Sequence, residues 1–124
     1  MRARLAVVAV ATGLLGACTT ASTAPDDVAD LERLCRTEDA TTTQEIRELF
    51  EGPIHQALHD LADELQQADR RRIAGDVLEA KQAVEAGLAA DTTPADLTAS
   101  LDFLVDATNR GLRVLDRPVL PCGD

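Results

Sequence analysis

Apolar residues recur every three or four positions along most of the chain after residue 53, and this spacing constrains the fold most strongly. Such stripes run through residues 54–68, 73–88 and 97–115. A period near 3.6 puts apolar side chains on one face of a helix, whereas strands alternate with a period of two. No segment keeps a period of two, and no Asn-Gly or Asp-Gly hairpin turn occurs. The sequence therefore predicts an all-α fold.

Capping residues indicate where two helices begin, one that precedes the first stripe and one that contains the last stripe. Thr42 and Glu45 fit a capping box, in which a threonine hydroxyl and a glutamate three residues later each satisfy a free backbone amide. Thr93 fits the N-cap of the last helix, with Pro94 in the first helical position and Asp96 in the first turn.

The middle of the chain leaves the number of helices open. Residues 52–53 are Gly-Pro. They interrupt the helix that begins after Thr42, as a kink or as a turn. A further break near Asp69 is expected, but residues 70–72 are arginines, which oppose the dipole of a helix that begins there. That opposition favours one continuous helix over residues 53–89. We predict a small all-α bundle of four main helices, with short loops and a disulfide-stapled C-terminal tail.

The N-terminal residues have a different pattern. Two arginines precede an apolar run, and small residues then precede Cys18. The run, residues 5–15, is about 11 residues long, whereas a membrane-spanning helix needs roughly 20. It therefore fits the apolar region of a secretory signal peptide. The segment Leu15-Gly16-Ala17-Cys18 resembles the lipobox of bacterial lipoproteins. The resemblance implies cleavage before Cys18, a diacylglyceryl group on its thiol, and a new amine that can be acylated.

This resemblance divides the chain into three predicted parts. Residues 1–17 are a lipoprotein signal peptide, 18–25 are the lipidated cysteine with a flexible tether, and 26–124 are a single helical domain. Two acyl chains anchor a protein stably, so we expect it at the extracytoplasmic face of the cell membrane. An ordinary cleaved signal with a chance cysteine is the alternative. The single lysine among abundant arginines and alanines suggests a high-GC, actinobacterial-type source.

The cysteine count predicts one disulfide. The lipid uses Cys18, which leaves Cys35 and Cys122. An exported chain with two remaining cysteines is expected to pair them. Val28, Leu31 and Cys35 recur at helical spacing, so the bridge would join a first helix to the C-terminal tail. Two free thiols or an intermolecular bridge are the alternatives. No Cys-x-x-Cys motif is present, which disfavours a thiol redox site.

Composition excludes several partners. The formal net charge is −10, and removal of the two arginines with the signal peptide takes it to −12. Such a surface repels phosphate backbones and anionic lipid heads, so we expect no nucleic-acid binding. The chain has no Trp or Tyr and two Phe, so platforms for stacking bases or sugars are missing.

The two histidines form the one candidate metal site. His55 and His59 are four residues apart, and Asp63 lies one turn further along. This spacing places three possible ligands on one side of a helix. At about 100° per residue, however, the histidines lie on the flank or solvent side of the apolar stripe. Two surface histidines on a charged helix are therefore the simpler interpretation.

No catalytic motif was found, and we expect neither an enzyme nor a cofactor. Ser22 and Ser100, the two serines, lie outside any Gly-x-Ser-x-Gly sequence, and no phosphate-binding glycine loop occurs. The mature region resembles, in pattern alone, helical-bundle lipoproteins of unknown role. We predict a membrane-anchored, non-catalytic protein-interaction or structural module whose partner is an envelope protein. The alternative is a surface lipoprotein that binds a metal or small ligand through the His55/His59 face or the bundle interior.

Overall fold

A computed structural model of the protein describes residues 28–123. The predicted signal peptide, lipidation site and tether, all within residues 1–25, lie outside this range. Residues 28–32 are helical, and Arg33 joins them to a four-residue helix. The elements that follow are α1 (Leu34–Thr37), α2 (Thr43–Leu49), a π-helical segment (Phe50–Ile54), α3 (His55–Gln67), α4 (Arg71–Ala89) and α5 (Pro94–Val114). No strand occurs within residues 28–123, so the all-α prediction is confirmed.

Both predicted N-terminal caps are present. The Thr42 hydroxyl accepts a hydrogen bond from the Glu45 backbone amide, and the Glu45 carboxylate accepts one from the Thr42 amide, each at 3.1 Å. At the start of α5, the Thr93 hydroxyl accepts from the Asp96 amide at 3.3 Å, and Pro94 occupies the first turn. These side chains satisfy amides that a helix leaves without partners at its start.

Three helices end in the same way, each with an aspartate in the left-handed region. The φ angles are 63° at Asp69, 59° at Asp91 and 59° at Asp116. After α3, the Arg70 amide donates to the Leu65 carbonyl at 2.7 Å, and the Asp69 amide donates to the Gln66 carbonyl at 3.0 Å. This pair of bonds is the Schellman motif, and α4 and α5 repeat it. Aspartate tolerates the conformation better than most residues, which makes it an alternative to glycine here.

The expected break near Asp69 is present, and the alternative of one continuous helix over residues 53–89 is wrong. Helix α3 ends at Gln67 and α4 begins at Arg71. Residues 70–72 oppose the helix dipole only weakly, because those arginines are exposed to solvent, which screens their charge. A break at Asp69 also lets α4 fold back and pack its apolar stripe against α3, which one straight helix could not do.

The Gly-Pro interruption is a kink. Gly52 has φ −96° and ψ −113°, outside the helical region, and Pro53 follows inside the same π-helical segment. Proline lacks the amide that would continue the hydrogen-bond ladder. Phe50 and Ile54, on either side of the kink, are both fully buried. The bend therefore wraps α2 and α3 round one core as a single bent helix, which gives four helices within residues 28–123.

The core lies where α4 packs between α3 and α5, and α1 packs against α2 and α5. The predicted stripes supply it, except that Ala68 is exposed at the C-cap of α3. The largest fully buried side chains are Phe50, Leu31, Leu34, Ile46, Ile54, Leu58, Leu65, Leu97, Leu104, Val77, Val84 and Val105.

The C-terminal tail is fixed to the bundle by a disulfide and by one buried asparagine. Cys35 and Cys122 are bonded across 87 residues of chain, with their Cα atoms 5.7 Å apart, as predicted. Asn109 Oδ1 accepts from the Leu120 amide at 2.8 Å, and its Nδ2 donates to the Cys122 carbonyl at 3.4 Å. The bridge therefore joins α1 to the tail, and Asn109 fixes the tail to the second half of α5.

Candidate functional site

The two histidines lie together on the flank of α3, half-buried, as the helical geometry predicted. The ring centroids of His55 and His59 are 4.8 Å apart. His55 Nδ1 lies 3.1 Å from Oε2 of Glu85, which comes from the neighbouring helix α4. Because an ionised carboxylate can only accept, Nδ1 carries the proton in this contact.

The same carboxylate holds the one lysine of the chain. Lys81 is 5% exposed, and its Nζ lies 2.8 Å from Glu85 Oε2, one helical turn away. A buried ammonium needs a partner to offset the loss of its hydration. Sequence reasoning missed this group, although a signal was present. Position 81 is four residues after Val77 and three before Val84, which places it on the buried face.

The electrostatics of Glu85 follow from these neighbours. Partial burial raises the pKa of Glu85, but the hydrogen bond and charge of Lys81, with the His55 contact, outweigh it and hold the pKa below its ordinary value. The carboxylate is therefore ionised at neutral pH and bridges α3 to α4. This arrangement explains why a lysine can be buried here.

The predicted metal ligands do not assemble into a binding set. Asp63 is exposed one turn beyond His59, and His55 already contacts Glu85. Within residues 28–123, no group of three or more His, Cys, Asp and Glu side chains is arranged to hold a metal ion. The Lys81 ammonium next to Glu85 also opposes a second cation at this carboxylate.

A cleft of about 480 Å³ lies between the end of α1 and the first turns of α5. We call it the α1–α5 cleft. Two carboxyl groups, Glu38 and Asp102, line it beside apolar and hydroxyl side chains. The remaining lining residues are Thr37, Ala40, Pro94, Ala95, Thr98 and Leu101.

The two carboxyl groups in this cleft are close enough to affect each other. Partial burial, then the charges of Asp102 and Asp39, and a hydrogen bond to Asp102 raise the pKa of Glu38 above its ordinary value. Like charges held together favour uptake of a proton or of a positive group. The cleft is therefore suited to a basic group.

Comparisons with known proteins leave the fold as the firm assignment. The chain matches no protein-family model, and the searches of curated proteins and of solved structures found no similar protein. None of the helices within residues 28–123 combines the length and apolarity needed to cross a bilayer. The described part of the chain is an all-α protein with one intramolecular disulfide.

Proposed function

We propose that this protein is a lipid-anchored module of the cell envelope that binds another protein and performs no catalysis. The observation that carries the proposal is the Cys35–Cys122 bridge, because disulfides persist mainly in oxidising compartments outside the cytoplasm. The N-terminal pattern that ends in Cys18 supports the same location independently.

The surface charge favours a protein partner with basic groups. The chain carries 22 acidic and 12 basic residues, and this excess repels the phosphates of nucleic acids and anionic lipid heads. Complementary charge speeds and orients protein association. A domain that stands off the membrane on a short tether can present such a surface to a neighbouring envelope protein.

The anchor is tested by cell fractionation. We expect the full chain to follow the membrane fraction. We also expect protease added outside the cells to cleave it once the outer layers of the envelope have been made permeable. Cys18→Ser should release it into the soluble fraction. The matched control, Cys35→Ser with Cys122→Ser, should stay in the membrane. A wild-type chain that is soluble with its signal peptide intact would contradict the proposal.

The partner is tested by photo-cross-linking in cells. A photoreactive residue replaces one exposed position at a time, for example Thr98 in the α1–α5 cleft, Gln66 on α3 and Gln82 on α4. An interaction module should give one adduct of defined mass, confined to neighbouring positions on one face. Adducts that are equally strong at all positions, or none at any, would contradict a specific protein partner.

Small-ligand binding is the second candidate, and the volume of the α1–α5 cleft favours it. Ligand sites commonly enclose roughly 300–1,000 Å³, and this cleft falls within that range. Spermidine is a suitable probe because the cleft carries Glu38 and Asp102. A rise in melting temperature that Glu38→Gln with Asp102→Asn removes would favour this candidate, and no rise at saturating spermidine would remove it.

The metal form of this alternative is tested at the histidine face. Zn²⁺ or Cu²⁺ bound by His55 and His59 must raise the melting temperature, since a ligand of the folded state stabilises it. His55→Ala with His59→Ala should then abolish the rise. The contact of His55 with Glu85 leads us to expect no rise in the wild type.

A further inference from the structure

One face of α5 is exposed along its length. Asp96, Ala99, Phe103, Asp106 and Arg110 are all exposed, and we call this set the α5 ridge. Steps of seven residues return to nearly the same side of a helix, with a drift of about 20° each. Asp96, Phe103 and Arg110 therefore follow one another along a single line on the outside of the bundle.

Phe103 is the largest apolar group on this ridge. Its side chain is 46% exposed, whereas Phe50, the other phenylalanine, is 1% exposed in the core. Full burial of such a side chain is worth about 1.5–3 kcal/mol relative to exposure, and aromatic residues are enriched where proteins associate. Phe103 also lies close to the middle of the 21-residue helix α5. It is thus placed to be the centre of a helix–helix contact.

The ridge carries charges on both sides of Phe103. Asp96 lies seven residues before Phe103, and Asp106 and Arg110 lie three and seven residues after it. A second copy that packs its α5 antiparallel about a twofold axis at Phe103 places each Asp96 against the partner copy's Arg110. Parallel packing would instead oppose Asp96 to Asp96 and Arg110 to Arg110. The charges therefore select the antiparallel pair.

Arg110 can serve such a contact without losing its present one. Its guanidinium lies 3.3 Å from Asp76 on α4, and its side chain is 45% exposed. A guanidinium has five N–H donors, so one group can bind two carboxylates. Asp76 also fixes the position of Arg110 before a second copy arrives.

We propose that the α5 ridge is a self-association surface, on which two copies pack antiparallel with Phe103 against Phe103 and Asp96 against Arg110. The partner of the proposed interaction module is then a second copy of the chain. This inference rests on the proposed function only in one respect, that the membrane anchor raises the local concentration of the protein. The net charge, −10 for the whole sequence and −12 without the two arginines of the signal peptide, opposes association at long range. The dimer should therefore strengthen as salt screens that repulsion.

The apolar contact is tested by native mass spectrometry of the full lipidated chain in detergent. Absorbance is a poor concentration probe here because the chain has no Trp or Tyr. We expect a concentration-dependent dimer that Phe103→Ser weakens tenfold or more. Val119→Ser is the matched control, since Val119 is 44% exposed but lies in the tail, and it should leave the dimer unchanged. A wild type that stays monomeric at every concentration and salt level overturns the proposal, as does a dimer indifferent to Phe103→Ser.

The antiparallel register is tested by charge reversal. Arg110→Asp should dissociate the dimer, and Asp96→Arg in the same chain should restore it. Circular dichroism melting confirms that each variant is folded. If the folded double variant is no more dimeric than Arg110→Asp alone, the register is wrong. Cell fractionation is independent of these results, so loss of the dimer with an intact anchor leaves the proposed envelope function standing.

Discussion

Lys81 shows what a single residue reveals only after the helices are placed. Its position on the buried face of α4, and the carboxylate one turn later, could be predicted from the sequence, because both depend on helical spacing. The contact of Glu85 with His55 could not, since it depends on how α3 and α4 align across a turn whose existence was uncertain. The two histidines were therefore predicted as a possible site, whereas the buried Lys81 beside them was not.

We predict unequal losses of stability when this cluster is truncated. Glu85→Ala leaves the buried Lys81 ammonium without its carboxylate and should lower the free energy of unfolding by about 2–3 kcal/mol. His55→Ala should lower it by less than about 1 kcal/mol, because that contact is partly exposed to solvent. Adding Lys81→Met to Glu85→Ala should recover part of the loss. Urea unfolding measures all three, and equal losses for Glu85→Ala and His55→Ala would contradict the assignment of Glu85 as the partner of Lys81.

Glu38 should make the protein sensitive to pH in the direction opposite to most carboxylates. Its pKa is raised in the folded state, so its ionised form destabilises the fold above that pKa. This destabilisation disappears as the pH falls below the ordinary pKa of a glutamate. Glu38→Gln should therefore raise the free energy of unfolding at pH 7, measured by urea unfolding, by about 0.5 kcal/mol for such an exposed group, and have no effect near pH 3.

Any lost negative charge stabilises a chain this acidic to some degree, so Glu38→Gln needs a matched control. Glu79→Gln removes an exposed carboxylate on α4. The Glu38 account requires a larger gain for Glu38→Gln than for Glu79→Gln at pH 7. Equal gains would show that Asp102 has no particular effect on Glu38.

At the scale of the helices, the capped beginnings have a clearer signal in the sequence than the ends do. The caps at Thr42 and Thr93 depend on neighbouring residues, so the sequence contains the whole signal. The ends at Asp69, Asp91 and Asp116 use aspartate where glycine is the usual signal, so only the chain that follows shows that a helix has stopped. This is why residues 53–89 were open to interpretation as one helix.

Two glycines of α4 should respond in opposite ways to alanine. A Cβ at Gly75 meets nothing within 4 Å, so Gly75→Ala should raise the free energy of unfolding by about 0.5–1 kcal/mol through helix propensity. A Cβ at Gly87 would lie 2.5 Å from Leu97 Cδ2, a buried atom of α5. Gly87→Ala should therefore lower the free energy of unfolding by about 1 kcal/mol, because the loss from overpacking exceeds the gain in helix propensity. A stabilising Gly87→Ala, measured by urea unfolding, would contradict the close packing of α4 on α5.

At the scale of the whole molecule, one covalent bond joins the ends of the described chain. Counting cysteines predicted the Cys35–Cys122 pair, because an exported chain leaves few other options. The α1–α5 cleft and the α5 ridge could not be predicted. Both depend on which faces the packed helices leave uncovered, and the periodicity of one helix does not contain that information.

The bridge should supply a large part of the stability of so small a domain. A loop near 87 residues restricts the unfolded chain by an amount worth about 4–5 kcal/mol in the chain-entropy treatment. Cys35→Ser with Cys122→Ser should therefore lower the urea midpoint strongly, and a reducing agent should do the same to the wild type. Cys18→Ser is the control and should leave the midpoint unchanged. Equal midpoints with and without reductant would contradict a stabilising bridge.

The central claim, a lipid-anchored and disulfide-bonded envelope module, is tested most directly by one mass. The full chain is extracted gently from the membranes of its own host and its intact mass is measured before and after reduction. We predict a chain that begins at Cys18, carries a diacylglyceryl group, and gains two hydrogens on reduction. An unlipidated chain that begins elsewhere, or a mass unchanged by reduction, would contradict the account.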